Sequence, residues 1–206
     1  GGTITRLDAL KSAMSAFVSQ VADQSSADRI ALVGFHTEGV LLYGNSNASA
    51  LVDATANEAA LLSAINGIGY SDLGNATEHG RGMERAVAVF NAQTDTDYSS
   101  RNKVVIMVTD GEPAPSGTND WSSRTVKQAI EQSYILKNTH NATVYTVSVM
   151  PGTDASNPTT DMDKYMDYMS SNYPSAGYPT NSRDDRNTRG DSYYSGNTSD
   201  IISDIV

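Results

Sequence analysis

The fold of this chain is decided by one segment, Lys103-Val104-Val105-Ile106-Met107-Val108-Thr109-Asp110-Gly111-Glu112-Pro113. An apolar, β-branched run of this length without polar alternation predicts a strand that is buried on both faces of a sheet. The run ends on Asp110, and Gly111 lets the backbone turn there without a Cβ clash. Because the carboxyl ends of strands form the ligand-binding edge of open α/β sheets, Asp110 is predicted to be a ligand or a catalyst. The alternative is a turn aspartate that caps a loop.

Composition excludes several functional classes. The chain has 206 residues, enough for one large domain with its own core. A formal net charge of −10, spread along the chain, argues against nucleic acid or an anionic membrane surface as a partner. The chain contains no cysteine, which excludes disulfides and thiolate metal sites. No apolar stretch approaches the length of a membrane span, so direct membrane insertion is not expected.

Hydrophobic spacing predicts strands that alternate with helices. Helical periodicity predicts helices over residues 5–22, 57–67, 80–92, 122–138, 161–171 and 198–206. Aliphatic and β-branched runs predict strands over 29–35, 39–43, 103–109 and 143–149, the first two forming a hairpin. The polar segments 151–160 and 173–197 are predicted to be surface loops. The alternation predicts an α/β fold, a doubly wound, mostly parallel Rossmann-like sheet with helices on both faces.

A second polar segment lies before the helix at 80–92. It contains Gly74-x-x-Thr77 and then Gly82, five residues after the threonine. This pattern, followed by a buried strand that ends in Thr-Asp-Gly-Glu, resembles the von Willebrand factor A domain, as does the opening helix Arg6-Leu-Asp-Ala-Leu-Lys11. The resemblance implies a Rossmann-like sheet whose upper edge carries a metal-ion-dependent adhesion site. It further implies that Thr77 is a hydroxyl ligand, and Asp110 a water-mediated ligand, of one Mg²⁺ or Mn²⁺.

The first metal loop of that family, Asp-x-Ser-x-Ser, lies directly before the first helix, where this chain begins with Gly1-Gly2-Thr3. Similar letters begin at Asp23, Asp97 and Asp120, but these segments are interpreted as helix caps and turns. The resemblance therefore implies that residues 1–206 are a single domain truncated at its N-terminal central strand and at the end of its last helix. The metal site would be incomplete in this chain, and other domains of a longer polypeptide would be its neighbours.

Side chains beside the two metal-loop residues are candidates for the ligand-binding rim. They are Glu78, His79, Glu112 and Trp121. For His79 the preferred interpretation is a solvated loop histidine. Glu112 could shape the field at the rim, and Trp121 could either anchor a partner or pack on the end of a helix.

A looser similarity, in Tyr168–Pro174 and Tyr193-Tyr194, is to the A domains of surface and pilus-tip adhesins of Gram-positive bacteria. It implies a non-enzymatic adhesion module, extracellular on the cell surface or cell wall, whose cation captures an acidic residue of a protein ligand such as a host-surface or extracellular-matrix protein. Two alternatives stay open: a structural pilin or wall-scaffold domain without ligand binding, and the A-domain subunit of an intracellular chelatase or ATPase assembly. A Ser-His-Asp hydrolase is disfavoured because the chain has no Gly-x-Ser-x-Gly elbow.

Overall fold

The computed structural model describes residues 5–24, 27–43, 51–69, 76–115, 122–173 and 192–195. Its helices are α1 (Arg6–Gln24), α2 (Ala54–Gly67), α3 (His79–Asn91), α4 (Ser123–Asn138) and α5 (Asp161–Met169), with a short 3₁₀ turn at Tyr98–Ser100. Its strands are β1 (Arg29–Ile30), β2 (Leu32–Phe35), β3 (Gly39–Tyr43), β4 (Val52–Asp53), β5 (Lys103–Thr109), β6 (Ala142–Ser148) and β7 (Tyr193–Ser195). The helices and strands predicted up to residue 171 are confirmed with shifted ends, except that the single strand predicted over 29–35 is divided into β1 and β2, which pair in different sheets. The predicted helix at 198–206 lies outside the described residues.

The strands β5, β6 and β7 form a parallel sheet in that order. The helices α4 and α5 connect them, which is the β-α-β connectivity of a parallel α/β sheet. The strands β2 and β3 form the predicted antiparallel hairpin, and β1 pairs with β4. The carboxyl ends of β5 and β6 lie side by side, since Thr109 pairs with Ser148.

The strand β5 differs from the prediction that both of its faces are buried. Met107 is buried against Met83 of α3 and Ile130 of α4. On the opposite face, Val104 is 50% exposed and Ile106 is 37% exposed. In the part of the chain that the structure describes, helices α3 and α4 thus cover only one face of β5, which is why its aliphatic run is not buried throughout.

A further core joins the N-terminal helices to the hairpin. Val18 of α1 packs with Leu61 and Ile65 of α2 and with Leu32 of β2. Helix α1 begins with a reciprocal cap at Thr5: its Oγ1 accepts from the Asp8 backbone N–H at 3.1 Å, and the Asp8 carboxylate accepts from the Thr5 N–H at 3.3 Å. No helix in the described part of the chain is long and apolar enough to cross a bilayer.

The strand β7 lies inside the segment 173–197, which was predicted to be a loop. A buried carboxylate holds this strand in place, because the Tyr193 hydroxyl donates to Asp163 Oδ1 at 2.6 Å. Asp163 also accepts from the Asp154 backbone N–H at 2.8 Å and closes a capping box with Thr160 at the start of α5. Burial opposes ionisation of Asp163, but these hydrogen bonds prevail and its pKa is lowered. The short strand is therefore fixed by tertiary contacts that local sequence does not reveal.

Candidate metal centre

Thr77 lies in the segment that leads into α3, and its backbone forms two hydrogen bonds with the segment that follows β5. Its N–H donates to the Ala114 carbonyl at 2.9 Å, and the Ala114 N–H donates to the Thr77 carbonyl at 3.2 Å. The side chain of Thr77 contacts Gly111, since a Cβ atom at Gly111 would lie 3.2 Å from Thr77 Oγ1. This close approach suits glycine and places the Thr77 hydroxyl against the residue next to Asp110. The two residues predicted as metal ligands are therefore brought to the same edge of the sheet.

Asp110 presents an accessible carboxylate at this edge. Its side chain is 62% exposed, and Oδ2 lies 3.8 Å from Nη1 of Arg6. The same guanidinium nitrogen donates to the Asp110 backbone carbonyl at 3.4 Å. Because Arg6 is the first residue of α1, the amino terminus of that helix lies at the carboxyl end of β5. The amino-terminal end of α1 is therefore close to Asp110.

The residue types at this edge suit a hard divalent cation, but the described residues supply too few ligands for a complete site. A hydroxyl and a carboxylate are oxygen ligands of the type that Mg²⁺ and Mn²⁺ prefer, and Mg²⁺ keeps several waters when protein ligands are few. Among the described residues, however, no group of three or more His, Asp or Glu side chains could hold a metal ion. A complete site therefore requires further oxygen ligands beside Thr77 and Asp110.

His79 is not a solvated histidine, and it does not lie on the rim. It is the first residue of α3, and it is fully buried. Its Nδ1 lies 3.0 Å from the Tyr165 hydroxyl, and its Nε2 lies 2.8 Å from Thr109 Oγ1. Burial lowers the pKa of His79 to about 3, so the imidazole is neutral at ordinary pH. Both predicted interpretations of His79 are wrong because the first turn of α3 faces the interior.

The other rim candidates differ in how open they are. The Glu78 side chain is only 13% exposed and pairs with Arg81 at 3.7 Å, so its carboxylate is largely engaged within the protein. Glu112 is exposed and lines a cavity of about 350 Å³, together with residues 150–153 and 160–162. Trp121 lies outside the described residues. Of the described candidates, Glu112 is therefore the one with an exposed side chain beside the Asp110 loop.

The parallel sheet and the helices packed against it define an α/β domain, with Thr77 and Asp110 at the carboxyl edge of β5. A family model for the von Willebrand factor type A domain matches residues 1–112. This match covers more than half of the chain, so the chain belongs to that family. The family and the α/β fold expected from the sequence are thereby confirmed, whereas the narrower resemblance to Gram-positive adhesins stays a prediction.

Solved structures show the same fold. Proximal thread matrix protein 1 from the mussel byssus is 17% identical, with a TM-score of 0.59 over 97% of this chain and 40% of that chain. A structure of that protein with a zinc-occupied MIDAS motif is 12% identical, with a TM-score of 0.61, over 97% of this chain and 41% of that one. A von Willebrand factor type A protein from Catenulispora acidiphila is 15% identical, with a TM-score of 0.62, over 97% and 36% of the two chains. This chain thus spans about two fifths of the length of these proteins. No curated protein matches the sequence.

Proposed function

We propose that this domain binds a partner protein through a divalent cation held at the carboxyl edge of β5. The observation that carries the proposal is the contact between Thr77 and Gly111, which sets a hydroxyl beside the Asp110 loop. Thr77 would bind the cation directly through its hydroxyl, and Asp110 would bind it through water. The remaining ligands would come from an Asp-x-Ser-x-Ser segment before α1. The bound cation would supply an electrophilic position that accepts a carboxylate of the partner.

Mg²⁺ or Mn²⁺ is the proposed ion because the ligands at this edge are hard oxygens and include no imidazole or thiolate. The mussel protein with zinc at its MIDAS motif supports a divalent cation at this place in the fold. His79 cannot contribute an imidazole ligand, since both ring nitrogens are engaged with Tyr165 and Thr109. Zinc sites in proteins usually include histidine or cysteine ligands, so an all-oxygen set favours Mg²⁺ or Mn²⁺ over zinc.

We further propose a non-enzymatic adhesion role outside the cell, on the surface or wall of a Gram-positive bacterium. The partner would present an exposed Asp or Glu, as a host-surface or extracellular-matrix protein does. The chain is proposed to be one domain of a longer polypeptide, which would supply the first strand and metal loop. If binding proved independent of divalent cations, a structural scaffold role would replace this proposal.

The test is a Mn²⁺ titration, followed by electron paramagnetic resonance, on the domain with its natural upstream segment. We expect Asp110→Ala and Thr77→Val each to weaken Mn²⁺ binding by about tenfold or more, because Thr77→Val removes a direct oxygen ligand and Asp110→Ala removes the carboxylate that holds a metal-bound water. The matched control is Glu131→Gln, which removes an exposed carboxylate on α4 away from this edge. Wild-type affinity in Asp110→Ala would overturn the proposed site.

A further inference from the structure

A chain of buried hydrogen bonds joins α5 to the loop that carries Asp110. It runs from the Tyr165 hydroxyl to His79 Nδ1 at 3.0 Å, and from His79 Nε2 to Thr109 Oγ1 at 2.8 Å. Thr109 Oγ1 then donates to the Gly111 carbonyl at 3.1 Å. His79, Thr109 and Tyr165 are all buried, so water does not compete for these bonds.

The direction of the protons along this chain follows from the hydroxyl of Thr109. A hydroxyl has one proton and two acceptor positions. The proton goes to the Gly111 carbonyl, and one acceptor position takes the Gly111 N–H at 3.3 Å. The remaining position must accept from His79 Nε2–H. With this assignment, which satisfies every bond of the set, His79 Nδ1 carries no proton and accepts from the Tyr165 hydroxyl, so we assign His79 as the neutral Nε2–H tautomer.

This tautomer matters because Thr109 bonds both the N–H and the C=O of Gly111 and so closes the turn around Asp110. Gly111 also contacts the Thr77 hydroxyl. The position of Gly111 therefore sets how the Thr77 hydroxyl and the Asp110 carboxylate face one another.

We propose that His79 is a positioning residue for the metal site. By bonding to Thr109, His79 fixes the position of Gly111. The position of Gly111 in turn fixes the relative orientation of the Thr77 hydroxyl and the Asp110 carboxylate. This inference rests on the proposed metal-binding function. A purely structural histidine would affect stability alone, whereas a positioning histidine affects metal affinity beyond any loss of stability.

Tyr165 on α5 is the first residue of this series of hydrogen bonds, so a substitution there can disturb the Asp110 loop from a distance. Tyr165→Phe removes the donor to His79 Nδ1 and leaves that nitrogen without its hydrogen-bond partner. The imidazole would then favour the Nδ1–H tautomer or a mixture, and its Nε2 would compete with the Gly111 carbonyl for the Thr109 proton. The turn around Asp110 would loosen, although no residue of that turn has been changed.

The first arm of the experiment compares Mn²⁺ affinity with chemical stability in the domain that carries its upstream segment. We expect Thr109→Val to weaken Mn²⁺ binding by about tenfold, in the range found for partners that orient metal ligands, and Thr109→Ser to restore most of it. The control is Val87→Ala, a core truncation on α3 that loses stability without touching the chain of bonds. Unchanged affinity in Thr109→Val, or an equal loss in Val87→Ala, would overturn the positioning role.

The second arm needs no metal and separates this inference from the proposed function. Nitrogen-15 NMR of the wild type should show His79 as the Nε2–H tautomer, and Gly111 amide exchange should accelerate in Tyr165→Phe but not in Val87→Ala. An Nδ1–H tautomer in the wild type, or unaltered Gly111 exchange in Tyr165→Phe, would overturn the inference whatever the metal does. Absence of Mn²⁺ binding by the wild type, with the NMR results as expected, would instead overturn the proposed function and leave His79 as the residue that fixes Gly111.

Discussion

His79 makes the stability of this domain sensitive to mild acid. Its pKa is about 3 in the folded protein, against about 6.5 in an unfolded chain, because burial disfavours the imidazolium. As the pH falls below about 6.5, His79 is therefore protonated in the unfolded state while it stays neutral in the folded state. The resulting stability is complete above pH 6.5 and is lost progressively as the pH falls toward 3. At about pH 4.5 the loss spans two pH units, which corresponds to about 3 kcal/mol.

A loss of this size is a large part of the 5–15 kcal/mol that is typical of a folded domain. The assay is urea unfolding followed by circular dichroism at about pH 7 and about pH 4.5, with EDTA present so that no metal contributes. The comparison protein is His79→Phe, which keeps an aromatic ring but cannot titrate. It should be less stable than the wild type at neutral pH and should lose about 3 kcal/mol less on acidification.

Other groups do not obscure this comparison. Burial also lowers the pKa of His140, so His140 destabilises the protein in acid in the same direction, but it does so equally in both proteins. The pKa of Asp163 lies below its ordinary value, so its contribution is present above about pH 3.8 and is lost only in stronger acid. Equal loss of stability on acidification in the wild type and His79→Phe would show that His79 does not cause the acid sensitivity.

Two further predictions concern packing around glycines and the charge beside Asp110. A Cβ atom at Gly39 would lie 2.2 Å from the Arg81 backbone oxygen, so Gly39→Ala should lower the free energy of unfolding by about 1–3 kcal/mol. At Gly67, at the end of α2, an added Cβ would meet nothing within 4 Å, so Gly67→Ala should raise the free energy of unfolding by up to about 1 kcal/mol. Similar urea midpoints for the two variants would contradict both predictions. Arg6 places its guanidinium 3.8 Å from Asp110 Oδ2, so Arg6→Gln should tighten Mn²⁺ binding by roughly two- to fivefold at low salt and less at high salt. A titration that shows no change at low salt would indicate that Arg6 does not oppose the cation.

The parts of the fold with a local signal were predictable from the sequence. The strand β5 and helix α4 follow from uninterrupted or periodic apolar residues, and the cap of α1 follows from Thr5 and Asp8. The strand β7 was missed because it is three residues long and depends on the bond from Tyr193 to Asp163. The exposure of one face of β5 was missed because composition indicates an apolar strand but not which elements cover it.

The sequence supplied the two proposed ligands but not the residues that surround them. Resemblance to the family gave Thr77 and Asp110, and the structure brings them together through Gly111. The role of His79 was missed because its partner on α5, Tyr165, lies 86 residues further along the chain. One signal was present: His79 begins an amphipathic helix, where a first-turn residue can face the core.

The most direct test of the central claim is an anomalous difference map from crystals of the domain, with its natural upstream segment, grown in Mn²⁺. We expect a Mn²⁺ peak about 2.1 Å from Thr77 Oγ1 and within reach of the Asp110 carboxylate through one water. The same map from Thr77→Val crystals should show a much weaker peak. A Mn²⁺ ion bound elsewhere, or an empty edge at a saturating Mn²⁺ concentration, would contradict the claim that this edge of β5 is a metal-dependent binding site.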